Sequence, residues 1–266
     1  MASVPPAIAP WHLALDKLYP FESLRNIASA ADRLASCLHV EGCILVVGDY
    51  DADGATGSAL LARGLRTLGA SRVSYLIPSR FTSGYGLGPA VVDAAAGLGA
   101  DLIITVDNGI SSLAGIRWAY ELDIPVIITD HHLPGSELPN ARGDRRSRSA
   151  GECVSRKIHR WCRGRFLSAR RLAGPIANAG LVRSRSSRAQ SGGISRPSRF
   201  GHGGGCGLLD CNNHILVEQN LRRIRAGRCC PGITALLEVA GRDPGMATAR
   251  DLGFTVGPWL NAAPGA

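Results

Sequence analysis

Between residues 25 and 140 the apolar positions switch back and forth between two periods. Ile27, Ala31, Leu34, Ala35 and Leu38 recur at helical spacing behind Asn26, a residue type suited to a helix cap. Cys43-Ile44-Leu45-Val46-Val47 is a short apolar run that stops at Gly48-Asp49, as a buried strand would. Leu60, Leu61, Leu65 and Leu68 predict a helix that Gly69 ends. Val73–Ile77 predicts a strand closed by Pro78, and Pro89–Leu98 a helix with proline in its first turn. Leu102–Val106 reads as a strand, Ser111–Leu122 as a helix and Val126–Thr129 as another strand. Strand alternating with helix at this spacing predicts an α/β fold with a doubly wound, mainly parallel sheet.

The pattern then stops. From 141 to 207 neither period is sustained, and Arg, Ser, Gly and Ala dominate. Apolar spacing resumes beyond Leu208, where Ile215, Leu216, Val217, Leu221 and Ile224 predict one amphipathic helix and Ile233, Leu236, Leu237 and Val239 another. The chain of 266 residues thus divides into an N-terminal extension (1–24), an α/β core (25–140), a basic patternless segment (141–207) and a helical remainder (208–266). Charge follows the same division. The net charge of +9 suggests a nucleic-acid binder, but 16 of the 30 Lys and Arg lie between 141 and 200, against only Asp144 and Glu152. The rest of the chain carries 14 basic and 19 acidic residues, so the basicity belongs to one segment. Arg222, Arg223, Arg225 and Arg228 form a smaller basic run on a predicted helix, suited either to a DNA backbone or to solvent.

Composition excludes several classes. Apolar residues at 45% and charged residues at 19% argue against wholesale disorder. No window approaches 18 uninterrupted apolar residues, and no basic start followed by an apolar run opens the chain, so neither a membrane span nor a secretory leader is expected. The eight irregularly spaced cysteines then read as reduced thiols of a cytoplasmic protein.

Three acidic clusters follow three of the predicted strands: Asp49-Tyr50-Asp51-Ala52-Asp53-Gly54, Asp107-Asn108-Gly109 and Asp130-His131-His132. Loops at the carboxyl ends of parallel strands share one crevice, so these groups can converge there. A lone Asp after a strand is usually a helix cap. Several carboxylates at one rim repel one another unless cations neutralise them. Carboxylate oxygens with imidazole nitrogens suit Mn²⁺ best and Mg²⁺ nearly as well, and two such ions about 3.5–4 Å apart form a clamp for phosphoester hydrolysis.

These motifs carry a family resemblance. Val47-Gly-Asp-Tyr-Asp-Ala-Asp-Gly-Ala-Thr-Gly57 resembles the first motif of the DHH phosphoesterase superfamily, and Asp130-His131-His132 its eponymous triplet. Ile77-Pro-Ser-Arg-Phe-Thr-Ser-Gly-Tyr-Gly-Leu87 and Thr105-Val-Asp-Asn-Gly109 narrow the resemblance to the RecJ-type family of single-strand-specific exonucleases. The resemblance implies metal-dependent 5′→3′ hydrolysis of phosphodiesters in single-stranded DNA, in repair and recombination, without a nucleotide cofactor. It implies that Asp51, Asp53, Asp107, His131 and His132 are metal ligands, that Asp49 and Asp130 support them, and that Arg80 holds a substrate phosphate by paired hydrogen bonds.

Departures from the family pattern bear on activity. The family supplies a fourth metal-binding aspartate after the third motif, where this chain reads Gly201-His-Gly-Gly-Gly-Cys-Gly207, so the two-metal site is expected to be incomplete and the enzyme impaired. The abrupt edges of 141–207 suggest text read out of frame, with a genuine basic insertion as the alternative; translating the gene in all frames decides between them. Gly257-Pro-Trp-Leu-Asn-Ala-Ala263 resembles a linker-side family motif, but the family's further domains are not expected after Ala266. A smaller DHH phosphoesterase acting on short oligonucleotides or cyclic dinucleotides, and an inactive nucleic-acid-binding remnant, are the alternative functions.

Overall fold

A computed structural model describes residues 14–18, 24, 26–79, 84–132, 152–154 and 211–262. Five parallel strands, β1 (Ile44–Gly48), β2 (Val73–Leu76), β3 (Leu102–Val106), β4 (Val126–Thr129) and β5 (Glu152–Val154), form one sheet in the order β2-β1-β3-β4-β5. Helix α1 (Ile27–His39) precedes β1, and α2 (Ala52–Thr67), α3 (Pro89–Gly97) and α4 (Leu113–Glu121) connect β1 to β2, β2 to β3 and β3 to β4. Every residue of β1, β3 and β4 is buried, which is why these segments read as continuous apolar runs rather than alternating ones.

The double winding follows from the strand period of two. Ile44 and Val46 of β1, with Leu102 and Ile104 of β3, pack against Ala30, Ala31 and Leu34 of α1 and Leu60, Leu61 and Leu65 of α2. Their neighbours Leu45, Val47 and Ile103 point to the other face, against Val91, Val92 and Ala95 of α3 and Ile116 and Ala119 of α4. A slip of one residue in any strand would exchange the two cores, so register is set firmly.

Two expectations change. Asn26 does not cap α1 through its side chain; it precedes the helix in the left-handed region at φ 57°, a conformation asparagine tolerates better than most residues. Strand β5 falls inside the segment read as patternless. A strand of three residues is too short to write a period of two into the sequence. Residues 141–151 and 155–207, with the remaining expectations placed on them, lie outside the described residues. Of the N-terminal extension, Leu15 and Leu18 pack against the α1–α2 core and Leu24 is buried in it.

Beyond the sheet, α5 (Cys211–Arg225) and α6 (Pro231–Val239) lead to a closing helical run. In it α-helical Ala249–Asp251, a π turn Leu252–Val256 and α-helical Gly257–Ala262 follow without a break. Thr248 opens this run with a capping box to Asp251. Leu221, Ile224, Ile233, Leu237, Leu252 and Val256 make a second core, while Leu216 joins the sheet's own. Two arginines of the basic run are engaged locally: Arg222 pairs with Glu218 at 2.8 Å, and Arg225 Nε donates to the Ala247 carbonyl at 2.9 Å. No described helix is long and apolar enough to cross a membrane.

Candidate metal centre

Strand order places the chemistry. In a β2-β1-β3-β4-β5 sheet the strand order reverses between β1 and β3, and the loops leaving these neighbours part to open a crevice at their carboxyl ends. The acidic clusters leave β1, β3 and β4 at that rim.

The loop after β1 is built for close approach. Asp49 is buried at 6% exposure, and its Oδ1 accepts from the Tyr50 amide at 2.7 Å. Asp51 caps α2, its Oδ1 accepting from the Gly54 amide at 2.8 Å. A Cβ on Gly54 would lie 2.6 Å from the Asp49 carbonyl oxygen, so only glycine lets the helix start this near the strand end.

Asp107 occupies the middle of the rim. It is 1% exposed and adopts φ 69°, a left-handed conformation costing about 1–2 kcal/mol in a non-glycine residue. Surrounding bonds hold it there. Its amide donates to the Thr129 carbonyl at 2.9 Å, and the next residue, Asn108, donates through Nδ2 to the carbonyls of Val47 at 3.1 Å and Val106 at 3.0 Å. Strain maintained in this way is typical of functional positions.

The loop after β4 supplies both imidazoles. His131 Nδ1 lies 2.9 Å from Asp107 Oδ1, and His132 Nδ1 donates to Asp130 Oδ1 at 2.7 Å. These carboxylate contacts fix the orientation of both rings, as partners of metal-binding histidines do. The two rings stack with centroids 4.4 Å apart. Tyr85 closes the site, its hydroxyl donating to the Asp107 carbonyl at 3.2 Å and its ring edge-on to His132.

Two groups of ligand atoms result, each within 4.8 Å: Asp49, Asp51 and Asp107 in one, and Asp107, Asp130, His131 and His132 in the other. Asp107 belongs to both. A carboxylate has two oxygens and can bridge, so the donor set fits two adjoining hard cations, Mn²⁺ or Mg²⁺. Asp49 and Asp130, expected as support, stand within the ligand groups. Asp53 joins neither; it is half-buried in the first turn of α2, where a carboxylate is favoured by the helix dipole. Arg80 lies outside the described residues. Asn108 and Tyr85 were present in the motifs, but nothing in their spacing announced that one ties β1 to β3 and the other touches Asp107.

Burial alone would raise the Asp130 carboxyl. The His132 ring, the amides of His132 and Ile110 and the His132 charge outweigh it and hold the group below its ordinary value of 3.8. A depressed carboxylate contributes stability above its unfolded value, and that contribution is lost as pH falls through the lower folded one. Asp130→Asn in metal-free protein is therefore expected to lower the melting temperature at about pH 6 and to converge on the parent as the pH falls below the depressed folded value, itself under 3.8. Parallel acid limbs for the two proteins would contradict this role.

Comparison with known proteins agrees with the geometry. Residues 43–158 match the family model described as the DHH family, N-terminal domain. The chain is 44% identical over 260 residues to the single-stranded-DNA-specific exonuclease RecJ of Salmonella typhimurium, covering 92% of this chain and 43% of that protein. It therefore spans less than half the length of that curated relative. Among solved structures, an exonuclease RecJ bound to manganese superposes with a TM-score of 0.75 at 30% identity, over 93% of this chain and 59% of that one. RecJ from Thermus thermophilus in complex with Mn²⁺ gives a TM-score of 0.70 at 28% identity, over 95% and 36%.

Proposed function

We propose that the chain is a RecJ-like protein of the DHH family and that its crevice hydrolyses phosphodiesters of single-stranded DNA from the 5′ end, using Mn²⁺ or Mg²⁺. The observation that carries this reading is Asp107, shared between two groups of ligand atoms at the β1–β3–β4 rim. Bound cations supply charge neutralisation and lower the pKa of water near neutrality. The protein's own residues do the positioning. Asp107 is locked by the hydrogen bond its amide donates to the Thr129 carbonyl, and His131 and His132 are oriented by carboxylates. A cavity of about 200 Å³ adjoins His132, walled by Tyr85, Ser111, Ser112 and Asp130, and leaves space beside the ligands. Where the family's fourth aspartate would stand, 201–207 contains none, so turnover is slow. The resulting role is DNA repair and recombination in the cytoplasm.

The test is release of 5′-mononucleotides from 5′-phosphorylated single-stranded DNA. Slow, Mn²⁺-dependent release that vanishes in Asp107→Asn is expected. Release that survives the substitution, or proceeds equally in chelator, would refute the assignment.

A further inference from the structure

We propose that Asn261 is a positioning residue of the metal loop, acting across the fold on the first turn of α2. The inference deepens the metal-centre reading and rests on it for its cation readout alone.

The first turn of any helix has amide donors without intrahelical partners. In α2, Asp51 Oδ1 takes the Gly54 amide. The Ala52 amide is taken by Asn261 Oδ1 at 2.8 Å, from 209 residues further along the chain. Ala52 is 3% exposed, so solvent is poorly placed to replace a lost acceptor. Asn261 lies on Gly257–Ala262, which packs on α2 and continues the run anchored by Leu252 and Val256 in the second core. The amide it holds is flanked by Asp51 and Asp53. The C-terminal helices thereby fix where the loop after β1 presents its carboxylates.

Two variants test this. Asn261→Leu removes the acceptor while keeping a side chain branched at Cγ, and Asn261→Asp keeps an oxygen in the same place. Amide hydrogen exchange over residues 52–55 is measured without metal, and Mn²⁺ affinity by electron paramagnetic resonance. In Asn261→Leu, exchange at Ala52 is expected to rise about tenfold while β1, β3 and β4 keep their protection, and Mn²⁺ affinity to fall about tenfold, as for loss of one partly buried hydrogen bond. Asn261→Asp restores both. Unchanged exchange at Ala52, or a rise spread equally over the sheet, overturns the proposal. Failure of the parent chain to bind Mn²⁺ would overturn the metal-centre reading, and exchange at Ala52 would still decide the role of Asn261.

Discussion

Asp107→Asn is expected to abolish the stabilisation that Mn²⁺ confers on this protein. A cation binding only the folded form at one hundred times its dissociation constant stabilises by about 2.7 kcal/mol. For a chain of this size that raises the melting temperature by roughly 5–10 °C. Asp107 belongs to both ligand groups, so its loss weakens both positions together, whereas Asp49 or Asp130 belongs to one. Asparagine is the informative replacement. It keeps the volume of a side chain that is 1% exposed and tolerates φ 69°, so the fold should survive. What disappears is the charge. In the metal-free state, loss of the His131 contact is offset by relief of repulsion among the remaining carboxylates. Differential scanning calorimetry with Mn²⁺ and with chelator checks this. The variant's two curves should lie within about 1 °C, and a variant that keeps the parent's shift would show that Asp107 is not the shared ligand.

Gly115→Ala should disrupt the fold severely, because the added methyl group meets main-chain atoms at close range. A Cβ at this position of α4 would lie 1.8 Å from the Leu87 carbonyl oxygen and 2.7 Å from its carbon, with the Gly88 carbonyl carbon at 3.2 Å. All three are main-chain atoms, so no rotamer change relieves the contact. Overpacking usually costs about 1–3 kcal/mol, and a clash with backbone belongs at about 3 kcal/mol or above. That is a large part of the roughly 5–15 kcal/mol that stabilises a domain. Displacement would also strain the Leu87 amide bond to Ser112 Oγ, at 3.1 Å, and shift nearby Tyr85 away from Asp107. Urea denaturation should show a midpoint lower by about 1 M or more. Gly97→Ala is the control. Its Cβ meets nothing within 4 Å, and it should be neutral or stabilising by a few tenths of a kcal/mol. A midpoint for Gly115→Ala within error of that control would show that α4 moves freely from the Leu87 segment.

The elements of the α/β core were legible because their signals are local. Ile44–Gly48, Leu102–Val106 and Val126–Thr129 are buried on both faces, and burial of that kind writes an unbroken apolar run. The acidic clusters were legible for the same reason, since each lies within a few residues of a strand end. Their convergence could be expected from any parallel sheet, but which carboxylates meet could not. Asp51 and Asp53 look equivalent in the sequence, yet only Asp51 both caps α2 and stands within a ligand group.

From the sequence alone came the α/β class, the helix and strand periods, the acidic motifs and the family resemblance. Each depends on residues near one another in the chain. Tertiary structure decided the rest. The order β2-β1-β3-β4-β5 sets β1 beside β3 and so brings Asp49 to Asp107, and β5 joins the edge with no periodic trace. The Ala52 amide finds its acceptor 209 residues away in Asn261. Strand neighbours and long-range acceptors depend on how faces pack, and hydrophobic periodicity records that a face is buried without recording against what.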